Sequence, residues 1–264
     1  MNAADVVDEH LPRSVGGLIG FALRSWLADA PLYVLLAGAM FALAAIAEAV
    51  TPIAAVDSPQ GQFKLWVLLY TELFAGAFLV AAVALGVAAR GLGTPLLPAT
   101  IAGGATERWL PVIAVTFLTQ TIILTTIPFS GLDTPPEPRV LVYVTAPLVW
   151  ILWGILGLTA PLVALAQSRS PLTVLVAFGH AFTASLRRNN LVRLCILSAI
   201  TVLPLVLEAA LQNVLIQRHV PRAFFWADIP IDALTFGPLT AIQTAFALDF
   251  ARRANAEINA RPQP

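Results

Sequence analysis

Long apolar runs separated by short polar breaks dominate the chain. A helix that crosses a bilayer needs roughly 20 mostly apolar residues. Six stretches meet that need: about 31–50, 65–89, 110–129, 140–166, 194–215 and 229–250. The first stops at Thr51-Pro52. The second is framed by Lys64 and Arg90, and the last carries a Gly237-Pro238 step that predicts a break. Before each odd-numbered run lies a shorter helical pattern. Ser170-Pro171 is a helix start, with Ser as the cap and Pro in the first turn. Beyond it, Leu172, Leu175, Gly179, Phe182 and Leu186 fall on one face, with Thr173, His180, Ala184 and Arg187 elsewhere. Val15 to Ala28 repeats the pattern with Ile19, Ala22, Leu23 and Trp26, and Leu96 to Arg108 is a third case, crossed by Gly103-Gly104. Such helices suit a membrane surface. The expected fold is all-α: one integral membrane domain over 1–264 with six transmembrane helices. About three interfacial amphipathic helices accompany them on the cytoplasmic side, one of them within an N-terminal segment 1–30, and 251–264 forms a cytoplasmic tail.

Composition narrows the class. Of 264 residues, 58% are hydrophobic and 11% charged, the net charge is zero, and the mean hydropathy is +0.83. A soluble domain carries about 25% charged residues. So poor a charge content excludes a disordered chain and a nucleic-acid binder. The lone Cys195 excludes a disulfide scaffold and reads as a small buried or lipid-facing side chain. The acidic start, MNAADVVDEH, lacks the apolar core of a signal peptide.

The basic residues set the orientation. With the N-terminus inside, Arg13, Arg24, Arg90, Arg108, Arg169, Arg187, Arg188, Arg193, Arg252, Arg253 and Arg261 share one side, and Lys64, Arg139, Arg218 and Arg222 the other. The positive-inside rule then puts both termini in the cytoplasm of a bacterium, with the chain in its cytoplasmic membrane. Arg187, Arg188 and Arg193 form the densest basic group, placed to contact anionic lipid or to fix topology. Asp249 precedes Arg252 and Arg253 by three and four residues, the spacing of a helical ion pair.

Ionisable residues inside apolar runs are costly and therefore informative. Glu72 lies eight residues beyond Lys64, about 12 Å along a helix. Glu48, Glu208 and Asp232 also fall in the outer half of their runs. These four carboxylates line a candidate polar cavity for a cation, a proton or a headgroup, or they reach the interface and neighbouring helices. The alternative function they support is a small transporter or permease component coupled to protons or cations, in which the Gly237-Pro238 break has a role. His10, His180 and His219 have no metal-ligand spacing, so no metal or cofactor is expected. No phosphate loop, nucleophile elbow or HExxH is present, and no connecting segment is long enough for a soluble catalytic domain.

An internal repeat of surface helix plus two spans emerges. Asp29, Glu107 and Asn189 mark polar hinges 78 and 82 residues apart. A shift of 160 residues carries Ser25 to Ser185, Asp29 to Asn189, Ala39 to Ala199 and Glu48 to Glu208. This plan resembles the six-span membrane domain found with glycerophosphoryl diester phosphodiesterases. The residues that carry the resemblance are 181–190, AFTASLRRNN, and the closing run 241–253, AIQTAFALDFARR, where Ala247 replaces a usual aromatic. The resemblance implies a stand-alone membrane domain. The catalytic domain's His-Arg pair and Glu-x-Asp are missing, so a non-enzymatic protein is expected. Its partners would be membrane lipids, a membrane protein or further copies of itself, and it would act in envelope or lipid homeostasis or in assembly.

Overall fold

The computed structural model describes residues 10–50, 59–126, 129–130, 140–166, 172–217 and 221–259. Eight α-helices occupy them: α1 (Val15–Ala28), α2 (Ala30–Val50), α3 (Pro59–Gly91), α4 (Pro98–Thr126), α5 (Val140–Leu165), α6 (Leu172–Ser185), α7 (Leu191–Gln217) and α8 (Pro221–Asn259). No strand occurs among the described residues. Three segments are long and apolar enough to cross a membrane: Leu73–Gly91, Val144–Leu165 and Arg188–Leu207. The pair α1–α2, bent by 74°, makes a fourth if it counts as one span. The protein is thus a helical membrane protein with several apolar spans.

Helix α3 is the centre of the bundle. Leu79, Ala81, Ala82, Val83, Ala84 and Val87 are buried on all sides, against α2, α4, α5 and α8. A helix apolar all round is a buried one. The run of alanines keeps its radius small, so neighbouring axes approach closely. By contrast α7 lies at the edge, with Val192, Leu203 and Leu207 at least half exposed. Leu35, Leu110, Leu148 and Leu175 are equally bare on α2, α4, α5 and α6. Apolar surface on so many helices is unsuited to water and is matched by hydrocarbon. Cys195 is exposed on the same outer side of α7.

The chain signals its own helix ends. Ser14 caps α1 by accepting from the Gly17 N–H at 3.1 Å, which satisfies one of the orphan donors of the first turn. Helix α3 stops just past Arg90, where Gly93 takes a φ of +68° and its N–H donates to the Arg90 carbonyl. A side chain at Gly93 would also meet the His10 ring at 2.6 Å. Pro59, Pro98 and Pro221 each open a helix, where the missing N–H costs nothing.

Two expectations change. The predicted surface helix 96–108 is not separate: α4 runs unbroken through Gly103-Gly104, Glu107 and Pro111, because Gly104 lets the helix lie against Leu85. Helix α8 does not break at Gly237-Pro238. Gly237 is instead the seat of the Trp26 indole, whose Nε1 a Cβ would meet at 2.6 Å. Helix α8 continues through the first part of the expected tail, to Asn259. In α6 the two faces divide by size. Thr173, Ala177, Ala181 and Ser185 are buried, while Leu175, Val176 and Leu186 point outward. In water the large apolar face would turn in. Beside lipid the small residues turn in and let the helix sit close.

Candidate functional site

One end of the bundle collects charged side chains that tie helix starts to helix ends. Asp29 sits in the bend between α1 and α2. Its N–H donates to the Trp26 carbonyl, and its own carbonyl accepts from Leu32 and Tyr33 at 3.0 and 3.2 Å. The backbone of one residue thus closes α1 and opens α2. Its carboxylate is left for the last turn of α3. Arg90 donates through Nε at 3.1 Å and Nη2 at 2.7 Å, a two-pronged pair with Asp29 nearly buried. Tyr33 is buried beside it. Gly86 makes the room, since a Cβ there would strike the Tyr33 hydroxyl and lie 3.4 Å from Asp29 Oδ2.

The second centre is Asp249, fully buried near the end of the apolar part of α8. Arg253 donates to its Oδ2 at 2.9 Å, and Arg252 to its Oδ1. These are the i+4 and i+3 partners that the sequence spacing predicts. A third guanidinium arrives from the start of α7: Arg193 Nε donates to Oδ2 at 3.0 Å. Two of these arginines also hold the N-terminal segment. Arg252 donates to the carbonyls of Leu11, at 2.7 Å, and Pro12, and Arg193 donates to that of Arg13. Leu11 itself is buried. Three positive charges on one carboxylate leave this end of the bundle with an excess of positive charge.

The middle pair of long helices has a weaker tie. Arg108 Nη1, ten residues into α4, donates to the Ala164 carbonyl at the end of α5 at 3.2 Å. Two of the ties are neighbours: a Cβ on Gly91 would touch Leu248 at 3.6 Å, which sets the end of α3 beside the Asp249 turn. At the α6–α7 joint, buried Asn190 donates from Nδ2 to the Ala184 carbonyl at 2.8 Å and so satisfies the end of α6. The hinge expected at Asn189 is therefore one residue late, and Asn189 is exposed. Ser25 and Ser185, equated by the 160-residue shift, are both buried in the last turns of α1 and α6.

The candidate lipid contacts divide. Arg188 is exposed and Arg187 half-buried, next to each other at the charged end. Arg193 is turned inward to Asp249. Of the candidate cavity, Glu48 lies in α2, Glu72 in α3, Glu208 in α7 and Asp232 in α8; their side chains fall outside the described residues. No cluster of three His, Cys, Asp or Glu suited to a metal occurs among the described residues. Sequence reasoning missed Asp29–Arg90, because 61 residues separate its members, though the positions of both at helix ends were visible. Comparison with protein-family models, with curated proteins and with solved structures gives no match to this chain.

Proposed function

We propose that the chain is a six-span, non-enzymatic protein of a bacterial cytoplasmic membrane. It keeps both termini in the cytoplasm and acts in lipid or envelope homeostasis through its contacts with lipid or with a membrane partner. The three ties Asp29–Arg90, Arg108–Ala164 and Arg193–Asp249 carry this reading. Each joins one long helix to the next, α2 to α3, α4 to α5 and α7 to α8. We read these as three hairpins with charged feet on one side, hence six spans, with the arginines at the headgroup level as the positive-inside rule asks. The bent α1–α2 joint and the α6–α7 joint support a repeated unit of interfacial helix plus hairpin. The exposed leucines and valines around it support a lipid surround. The likeness of residues 181–190 and 241–253 to the membrane domain that accompanies glycerophosphoryl diester phosphodiesterases belongs to the same proposal.

Two measurements test it. In a Cys195→Ser background, Asp133→Cys is expected to react with a membrane-impermeant maleimide in intact spheroplasts. Pro95→Cys is expected to react only after permeabilisation, and the opposite pattern would overturn the topology. Deleting the gene is expected to shift the phospholipid class ratios of the membrane, read by mass spectrometry. An unchanged profile, together with a purified protein that carries neither lipid nor a second chain, would overturn the function.

A further inference from the structure

Residues 11–14 lie outside any helix, yet they form a strap across the charged end of the bundle. Leu11 is only 3% exposed, whereas His10, Arg13 and Ser14 are exposed. Pro12 folds back over the first turn of α1, where a Cβ on Gly17 would meet its side chain at 2.8 Å. The His10 ring lies over Gly93, just past the end of α3. Three successive carbonyls of the strap accept from two arginines of other helices. Arg252 on α8 donates to Leu11 at 2.7 Å and to Pro12 at 3.3 Å, and Arg193 on α7 donates to Arg13. Both guanidinium groups are held at the same time by Asp249. The third arginine on that carboxylate, Arg253, makes no bond to the strap among the described residues.

We propose that the strap is a latch. It docks only while α7 and α8 are held together on Asp249, so that docking of the N-terminal segment and closure of the α7–α8 pair are one coupled step. A guanidinium oriented by a carboxylate presents its remaining N–H donors in a fixed direction. Here those donors meet the strap. Released from Asp249, the same side chain turns, and the carbonyls lose their partners. Such coupling is reciprocal: a docked strap tightens the α7–α8 pair by the factor by which the closed pair tightens the strap. With one buried side chain and no helix of its own, the strap belongs to the parts of a fold that open first. It opens before the bundle does and uncovers Leu11, which makes the start of the chain a switchable element rather than a fixed one. This holds whatever the number of spans.

Trypsin reads the latch without a label, because the bond after Arg13 contains the carbonyl that Arg193 holds. The full chain is purified in a mild detergent, and release of residues 1–13 is followed by intact mass. The protease cuts the open form, so the rate follows its population. Wild type is expected to be cut at Arg13 at least about tenfold more slowly than a synthetic peptide of residues 8–18. Arg252→Met keeps the aliphatic stem and removes the donors, and is expected to raise the rate about tenfold or more, the effect of losing a hydrogen bond to a charged group. Arg253→Met takes the same charge from the same carboxylate and is expected to stay within about twofold of wild type. Asp249→Asn, which alters no strap contact directly, is expected to raise the rate about as much as Arg252→Met. Equal rates for Arg252→Met and Arg253→Met would overturn the latch, since a general loosening of the charged end would account for both. So would a wild type cut as fast as the peptide, and a wild-type rate for Asp249→Asn would overturn the coupling. If Asp249→Asn yields no folded chain, the two arginine variants decide.

Discussion

Replacing Asp249 with alanine is expected to cost the folded bundle about 3–5 kcal/mol, the range for removing one partner of a buried ion pair. The carboxylate is fully buried, and Arg193 and Arg252 are also largely shielded, at 15% and 10% side-chain exposure. Without it, the guanidinium groups face one another across the vacated position with little access to water. The N-terminal segment loosens as well, since Arg193 and Arg252 can no longer be held on the carbonyls of Leu11, Pro12 and Arg13. Asp29→Ala is expected to cost less, because Arg90 is 27% exposed and can turn to water or headgroups. Reversible unfolding in mixed micelles of SDS and a mild detergent would measure both. A loss for Asp249→Ala under about 1 kcal/mol would put the cluster in the class of exposed pairs and sink the expectation.

Gly154→Ala is expected to destabilise by about 1–3 kcal/mol, and Gly154→Leu to prevent the folded bundle from accumulating. At Gly154, α5 lies directly on α7. A Cβ there would overlap the Ser198 hydroxyl and come within 2.9 Å of the Ser198 Cα. A hydroxyl can rotate, but the Cα belongs to the helix, so α7 as a whole must move out. Ser198 is itself buried, with its Oγ donating to the Leu194 carbonyl at 2.8 Å, so the contact has no slack. Gly103→Ala is the counterpart. It has nothing within 4 Å of the added carbon, and a mid-helix alanine gains about 0.5–1 kcal/mol over glycine. If Gly154→Ala and Gly103→Ala shift the unfolding midpoint alike, close approach at Gly154 is not what holds α5 to α7.

Much of the helical plan is legible in the sequence. The runs 31–50 and 140–166 agree with α2 and α5 to within a residue, and Val15–Ala28 is α1 itself. Length and apolarity decide these, and both are local. The misplaced features depend on what lies across the interface. Gly103-Gly104 reads as a weak point and Gly237-Pro238 as a break, yet Gly104 and Gly237 serve as seats for Leu85 and Trp26, which come from other helices. The sequence pattern of α6 separates its faces but does not say which one meets the bundle; small residues inside and leucines outside is the arrangement for a lipid surround. Of the charged centres, the local part was visible: Asp249 with Arg252 and Arg253 lies within one helical turn. Arg193, 56 residues away, was grouped with Arg187 and Arg188 as surface charge, because nothing in a linear reading assigns it a buried partner.

The strap formed by Leu11, Pro12 and Arg13 sets an order of events during synthesis. Its anchor, Arg252, lies 241 residues after Leu11. At about 5–20 residues per second, the ribosome delivers that anchor roughly 10–50 s after the strap has emerged. For that interval the carbonyls of Leu11 and Pro12 wait for Arg252. The first two hairpins must therefore hold themselves in the bilayer by their own ties, Asp29–Arg90 and Arg108–Ala164. The last helix acts as the closing piece, and its arrival joins the beginning of the chain to its end.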